Sequence, residues 1–190
     1  EKALVGSCDA DSLDACQKVC SRTPVPASAC ARAATLLEKG TGGTKDETGA
    51  NTLLRKACDA GDGESCGRLG RKLYNGTGTT RDLTAAGALF KKGCDAGSGL
   101  GCAGLGHLYV RGEGGMPKDE NKGVELFKTA CDKKEPRGCA DLAAAYVGGQ
   151  GGVPKDEAKA LSLFEDACKK GIDRGCLGKA TMMFNGQGTP

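Results

Sequence analysis

The sequence predicts an all-α protein, an α/α solenoid of about five helix-turn-helix repeats of 36–37 residues. Three observations support this prediction. Cysteines recur in pairs eight residues apart, and apolar residues recur at helical spacing within each period. Each period has two such apolar segments, and a glycine follows the second one. A fixed period is typical of one elongated array, because each repeat contacts only its neighbours. The four regular pairs are Cys58/Cys66, Cys94/Cys102, Cys131/Cys139 and Cys168/Cys176.

The first segment of each repeat, helix A, runs 12 residues from an aspartate to the first cysteine of a pair. Leucine lies five residues before that cysteine, leucine or phenylalanine lies four before, and a small residue lies eight and one before. This apolar spacing follows the period of an α-helix. The aspartates are predicted N-caps. They are Asp46, Asp82, Asp119 and Asp156.

The second segment, helix B, follows a short connector after the first cysteine of each pair. Its aligned leucines, Leu69, Leu105 and Leu142, are each followed by glycine or alanine. Internal glycine lowers helix propensity, so its regular recurrence predicts close approach between helices. Each helix B is predicted to end in a left-handed cap at a glycine ten residues after its cysteine. These glycines are Gly76, Gly112, Gly149 and Gly186.

One stretch of the chain carries a recognisable motif, LGHLYVRGEGGMPKDENKGVELFKTAC from Leu105 to Cys131, and degraded forms start at Leu69 and Leu142. This motif resembles the Sel-1-like repeat, a helix-turn-helix relative of the tetratricopeptide repeat, over roughly residues 30–190. The paired cysteines resemble those of the cysteine-rich bacterial subclass known from Helicobacter. The resemblance implies a right-handed solenoid in which a disulfide joins the end of helix A to the start of helix B.

The implied disulfides are Cys8–Cys16, Cys20–Cys30, Cys58–Cys66, Cys94–Cys102, Cys131–Cys139 and Cys168–Cys176. A turn between antiparallel helices makes the eight-residue spacing reasonable, because eight residues along one straight helix would separate two cysteines by about 12 Å. Cys20 follows Cys16 by only four positions, which is too short a distance for a normal helix B and helix A. We therefore interpret residues 1–29 as an irregular N-terminal cap or truncated repeat, and residues 30–190 as the solenoid.

Cysteine content also bears on location and on cofactors. Twelve cysteines without a leftover favour a secreted or periplasmic location, because reducing compartments rarely keep so many thiols. The alternative, a structural zinc protein, is disfavoured because the chain has no C-x-x-C motif and only one histidine.

The glycine-rich linkers lack the P-loop pattern of nucleotide-binding proteins, so we expect no cofactor. A net charge of +3 and few aromatic residues disfavour nucleic acid, and no apolar run is long enough for a membrane span.

No catalytic residue and no metal ligand is predicted. His107 aligns with Arg71, Ala144 and Thr181, a variable position, and is expected to be an ordinary exposed histidine. No serine has a lysine three residues later, the S-x-x-K pattern of penicillin-recognising enzymes. Weak β-lactam binding or hydrolysis is implied only by the resemblance to the cysteine-rich relatives.

The residues three and two positions before each helix-A cysteine change from basic to acidic along the array. Two interpretations stay open: an ordinary solvated face, or a charged surface that selects an extended partner. The candidate binding stripe contains Arg55, Lys56, Lys91, Lys92, Lys128, Glu165 and Asp166.

The two ends of the sequence suggest a further contact. An open solenoid end exposes an apolar face unless polar residues cap it. Head-to-tail self-association is the hypothesis that follows, and such a contact can form filaments. The candidate end-interface residues are Ala3, Leu4, Met182, Met183 and Phe184. We thus expect a scaffold that binds a protein or peptide, with a filament subunit as the alternative and a weak β-lactam-binding protein as a third possibility.

Overall fold

Ten α-helices and no β-strand make up the part of the chain that the computed structural model describes, namely Cys8 and residues 12–188. The predicted all-α solenoid fold is confirmed. The helices are α1 Leu13–Cys20, α2 Ala27–Lys39, α3 Glu47–Asp59, α4 Gly63–Asn75, α5 Leu83–Asp95, α6 Gly99–Arg111, α7 Glu120–Asp132, α8 Pro136–Gly148, α9 Glu157–Lys169 and α10 Asp173–Phe184.

The helices form five consecutive pairs, in which odd-numbered helices are helices A and even-numbered helices are helices B. Each helix A packs on the helix B of its own pair, and each helix B packs on the helix A that follows. From α4 onward, successive helices B also pack directly on one another. No comparable contact joins successive helices A in the described part of the chain. The two rows of helices therefore form two different surfaces.

The predicted helix ends agree closely with the structure. The four aspartates before α3, α5, α7 and α9 each accept a hydrogen bond from a backbone N–H of the first turn, at 2.8–2.9 Å. Gly76, Gly112 and Gly149 cap α4, α6 and α8 with φ of 74°, 67° and 63°. The last helix differs, because Asn185 caps α10 and Gly186 follows it with φ of 66°.

Small residues in helices B allow aromatic residues of helices A to pack against the helix backbone. A Cβ atom on Gly70 would lie 2.8 Å from Phe90 Cδ1, and one on Gly106 would lie 2.7 Å from Phe127 Cε1. Both distances are too short for real carbon contacts. The recurring glycine therefore brings helices A and B close together, as the sequence pattern predicts.

All twelve cysteines lie in six pairs with Cα–Cα distances of 4.4–4.8 Å, and none is free. Each of the five helix pairs has one disulfide between its helix A and its helix B. The predicted staple in every repeat is confirmed.

The N-terminal region uses one short helix for two disulfides. Helix α1 contains Cys16, which pairs with Cys8, and Cys20, which pairs with Cys30 of α2. The boundary predicted between residues 29 and 30 falls inside α2, which begins at Ala27, and the division into a cap and a solenoid stays a prediction. Helix α1 packs on α2 as a shortened helix A of the first pair. None of the described helices has both the length and the apolarity needed to cross a membrane.

Candidate functional site

Two adjoining cavities lie along the row of helices B. The first has a volume of about 250 Å³ and is lined mainly by α4 and α6, with Arg137 of α8 at its edge. The second has a volume of about 270 Å³ and is lined mainly by α6, α7 and α8. His107 and Arg111 line both cavities. We call these two cavities together the helix-B groove.

Three arginines from three successive helices B line the first cavity: Arg71 of α4, Arg111 of α6 and Arg137 of α8. None of the three has a carboxylate within ion-pair distance in the described residues. Arg71 is half-buried, and its burial together with the positive charge of Arg137 lowers the pKa of its guanidinium. In the described residues, this site therefore holds positive charge that no ion pair neutralises.

Charges are balanced at the neighbouring contact between the first two helices B. Arg68 NH2 lies 2.7 Å from Glu38 Oε2, and Lys72 Nζ lies 3.0 Å from Glu38 Oε1 and also contacts Glu47. Burial by itself would raise the pKa of Glu38, but the hydrogen bonds and charges of Lys72 and Arg68 outweigh it and hold this pKa below its ordinary value. This cluster stabilises the ionised carboxylate of Glu38.

A second balanced cluster lies in the second cavity around Asp141, whose side chain is 2% exposed. His107 Nε2 lies 2.7 Å from Asp141 Oδ2, and Arg174 NH1 lies 2.8 Å from Asp141 Oδ1. Neither oxygen has a well-aligned hydrogen-bond donor in the described structure, so the attraction is mainly electrostatic. Asp141 thus links α6, α8 and α10.

The expectation of an ordinary exposed histidine at position 107 is wrong. The His107 side chain is 31% exposed, and its ring meets the Phe127 ring edge-on with centroids 5.0 Å apart. Successive helices B pack on one another here, which encloses a position that looks exposed when one helix is considered alone. Among the described residues, no cluster of histidine, cysteine, aspartate and glutamate suits a metal ion.

The candidate binding stripe lies on the other surface, along helices A. All its basic residues are exposed, and Lys91 and Lys92 are neutralised by Asp95 at 2.6 Å and Asp59 at 3.0 Å. Glu165 pairs with Lys179 of α10 at 2.9 Å. Apart from the Lys92–Asp59 contact, no ion pair in the described chain joins the stripe from one repeat to the next. No stripe residue lines the helix-B groove. Its role in binding stays a prediction.

The candidate end interface needs one correction. Met182 is 2% exposed because it packs in the core with α8 and α9, so its assignment to an exposed end is wrong. Met183 and Phe184 are 55% and 93% exposed, and Leu177, which the sequence analysis missed, is 70% exposed. The other two candidates, Ala3 and Leu4, lie outside the described residues.

The three arginines of the groove share a face of helix B that the sequence predicts. An alignment on the first cysteine of each repeat, at the end of helix A, does not show it. Counted from the second cysteine of their repeats, Arg71 lies five residues after, Arg111 nine after and Arg137 two before. Residues at these offsets lie on one face of a helix. An alignment of helices B on their polar side chains places the three arginines on this common face.

Comparison with known families adds to this geometry. The Sel1 repeat family model matches residues 27–62, 63–98, 99–134 and 136–172. The chain belongs to the Sel1 repeat family. Each matched unit of this Sel1 repeat chain contains a helix B followed by the next helix A. Sel1 repeats mediate protein interactions. Among curated proteins, none matches the chain significantly.

Several solved structures share the fold. A Sel1 repeat protein of Oxalobacter formigenes is 27% identical with a TM-score of 0.66, over 79% of this chain and 60% of that one. A protective antigen of uropathogenic Escherichia coli with an SLR fold is 25% identical with a TM-score of 0.73, over 94% of this chain and 37% of that one. Cysteine-rich protein B of Helicobacter pylori is 29% identical with a TM-score of 0.52, over 70% of this chain and 93% of that one. The chain therefore spans less than two thirds of the first two proteins.

Proposed function

We propose that this Sel1 repeat chain is a non-catalytic scaffold of an oxidising compartment that binds a polypeptide segment of another protein in the helix-B groove. One observation carries the proposal: two adjoining cavities, of about 250 and 270 Å³, lie along successive helices B and share His107 and Arg111. Cavities of this size accept side chains of a ligand, and their succession along the array suits an extended segment.

The rigidity of the array supports recognition. Each pair of helices is closed by a disulfide, and the Asp141 cluster links α6, α8 and α10 across the groove. A preorganised surface loses less conformational entropy when a partner binds. The secreted or periplasmic location is part of the same proposal, because six disulfides persist best in an oxidising space.

The surroundings of His107 favour binding over catalysis. Its Nε2 atom faces the buried carboxylate of Asp141, and the described residues that line the two cavities include no serine, threonine or free cysteine. A general base without a nucleophile within reach does not form an acyl-transfer site. We expect nitrocefin turnover at the background rate, unchanged in His107→Ala. Turnover that this substitution abolishes would contradict the proposal.

Selection from a library of displayed random peptides tests whether the groove binds polypeptide. Asn75→Trp places a large ring at the first cavity, from an exposed position of α4. Asn121→Trp is the matched control at an exposed position of helix A α7. We expect selected peptides to lose binding to Asn75→Trp and to keep it with Asn121→Trp. Failure to select any peptide, or peptides that bind both variants equally, would refute the proposal.

Head-to-tail self-association is a second candidate function, favoured by the exposed apolar face of α10. Leu177 is 70% exposed, whereas Ala103 and Ala140, which also directly follow the second cysteine of their repeats, are 3% and 0% exposed. In α6 this position lies in a buried cluster with Ala130 of the next helix pair. A pair of the same kind from a second copy would cover Leu177 and Phe184.

Sedimentation velocity over a concentration series tests this second candidate. We expect association that increases with concentration and is lost in Leu177→Lys, because a buried unpaired ammonium is costly. Asn121→Lys, at an exposed position on helix A, serves as the control. Monomeric sedimentation at every concentration would contradict self-association without affecting the proposal for the groove.

A further inference from the structure

The three arginines of the first cavity converge from separate repeats. Arg71, Arg111 and Arg137 belong to α4, α6 and α8, and all three line one cavity of about 250 Å³. Arg71 and Arg137 also line an adjacent hollow together. Like charges repel, so such a cluster reduces the stability of the empty array unless an anion joins it.

Nearby carboxylates do not neutralise this cluster. Glu38 and Glu135 attract Arg71 weakly, but neither lies within ion-pair distance of it in the described structure. Glu38 is already bound by Arg68 and Lys72, and Glu135 accepts a hydrogen bond from the backbone N–H of Arg137. The three guanidinium groups therefore have no ion-pair partner in the described chain and can pair with an anionic group from outside it.

The floor of the same cavity is apolar. Phe90, Leu100 and Ala103, which are all buried, line it together with Tyr74. Gly104 lies among them, and a Cβ atom there would be 2.4 Å from Phe90 Cε1. The absence of a side chain at this position lets the Phe90 ring reach the floor. The cavity thus combines an apolar base with a cationic rim.

We propose that the cavity recognises an acidic segment of a protein partner, with a carboxylate held among Arg71, Arg111 and Arg137 and an adjacent apolar side chain placed against Phe90 and Leu100. This inference rests on the proposed function and specifies the chemistry of the partner. Guanidinium groups bind carboxylates through paired, charge-assisted hydrogen bonds. An acidic peptide supplies an anion and an apolar group on neighbouring residues, which a phosphodiester backbone does not.

Two labelled peptides test the inference by fluorescence anisotropy. In the first, glutamate and leucine alternate; in the second, glutamine replaces every glutamate. We expect the acidic peptide to bind about tenfold or more tightly, with an affinity that falls as salt is added. Asn75→Trp is expected to abolish this binding because it fills the same cavity.

Two double variants separate a local site from overall charge. Arg71→Gln/Arg137→Gln is expected to weaken binding of the acidic peptide about tenfold or more and to flatten its salt dependence. Arg55→Gln/Lys56→Gln removes the same charge from the exposed surface of α3 and is expected to leave the affinity nearly unchanged. Circular dichroism checks that both variants fold, and removal of repelling arginines is not expected to unfold the array.

Three results would overturn the inference. The glutamine peptide could bind as tightly as the acidic one, the arginine variant could keep full affinity, or labelled oligothymidine could bind more tightly than the acidic peptide. If library peptides still depend on Asn75 in any of these cases, groove binding stands and only the acidic chemistry is wrong. If no library peptide depends on Asn75, the proposed function itself fails.

Discussion

The surfaces formed by helices A and helices B both carry many cations, but they use them differently. On the helix-A surface, Lys91 and Lys92 are exposed and lie close to aspartates. On the helix-B surface, Arg68 and Arg174 are bound to carboxylates of neighbouring repeats. The three arginines of the first cavity, Arg71, Arg111 and Arg137, have no such partner in the described chain. Ion pairs thus join helices B of neighbouring repeats, and the arginines between those pairs stay without a carboxylate partner in the described chain.

The largest expected effect comes from the ion pair with the most buried carboxylate. Arg174→Gln leaves the buried Asp141 charge with His107 alone, and we expect unfolding free energy to fall by about 3 kcal/mol. Arg111→Gln is the matched control on the same surface, and little loss is expected because this arginine has no carboxylate partner in the described chain. Urea unfolding followed by circular dichroism measures both, since the chain has no tryptophan. Equal losses in the two variants would contradict the distinction between paired and unpaired arginines.

A smaller effect is expected where the groove floor meets helix A. Gly104→Ala would force the buried Phe90 ring to move, because the added Cβ would lie 2.4 Å from it, and we expect a loss of about 1–3 kcal/mol. Gly43→Ala is the control, since its Cβ would have only an ordinary contact with Leu13 at 3.9 Å. The same unfolding measurement applies. A Gly104→Ala protein as stable as the control would show that the floor can rearrange freely.

The Glu38 cluster gives a pH-dependent prediction. The lowered pKa of Glu38 means that the folded state favours its ionised carboxylate. The contribution of this carboxylate to stability is therefore complete above the ordinary glutamate pKa and is lost as pH falls through the lower pKa of the folded state. We expect Glu38→Gln to cost about 1–2 kcal/mol at neutral pH and progressively less in acid. Glu120→Gln, which removes the partner of exposed Lys118, is the control. A cost for Glu38→Gln that is independent of pH would contradict this assignment.

The smallest effect is expected on the helix-A surface. Lys91→Gln removes an ion pair whose two side chains are 64% and 63% exposed, so we expect a loss of about 0.5 kcal/mol or less that disappears in high salt. Binding of the acidic peptide should not change. Loss of peptide binding in Lys91→Gln or Lys92→Gln would transfer the recognition site to the stripe along helices A.

Local signals in the sequence were sufficient for much of the fold. Each cap aspartate acts within one turn of its own helix, and each cysteine pair closes across one turn, so both could be read from short stretches. The glycines under Phe90 and Phe127 were predictable because small residues at a fixed position indicate close packing. These features depend on neighbours in the repeat and little on the rest of the array.

The helix-B groove depends on contacts between repeats, so single repeats of the sequence do not predict it. Asp141 contacts His107 and Arg174, which lie a repeat away on either side, and no alignment of single repeats shows that their charges meet. Met182 and Met183 are adjacent in sequence, yet only the second is exposed, because the rotation of α10 about its axis decides which one packs inward. The aligned apolar pattern alone does not give this rotation.

The position of the staples has a mechanical consequence. From Cys20 onward, every disulfide closes within one pair of helices, and none joins two pairs. A pulling force applied to the two ends would therefore separate neighbouring pairs first and would straighten the linkers between them. The residues inside each closed loop would add no length. The array would extend in steps, because each disulfide-closed helix pair stays intact while the non-covalent contacts between neighbouring pairs break one after another.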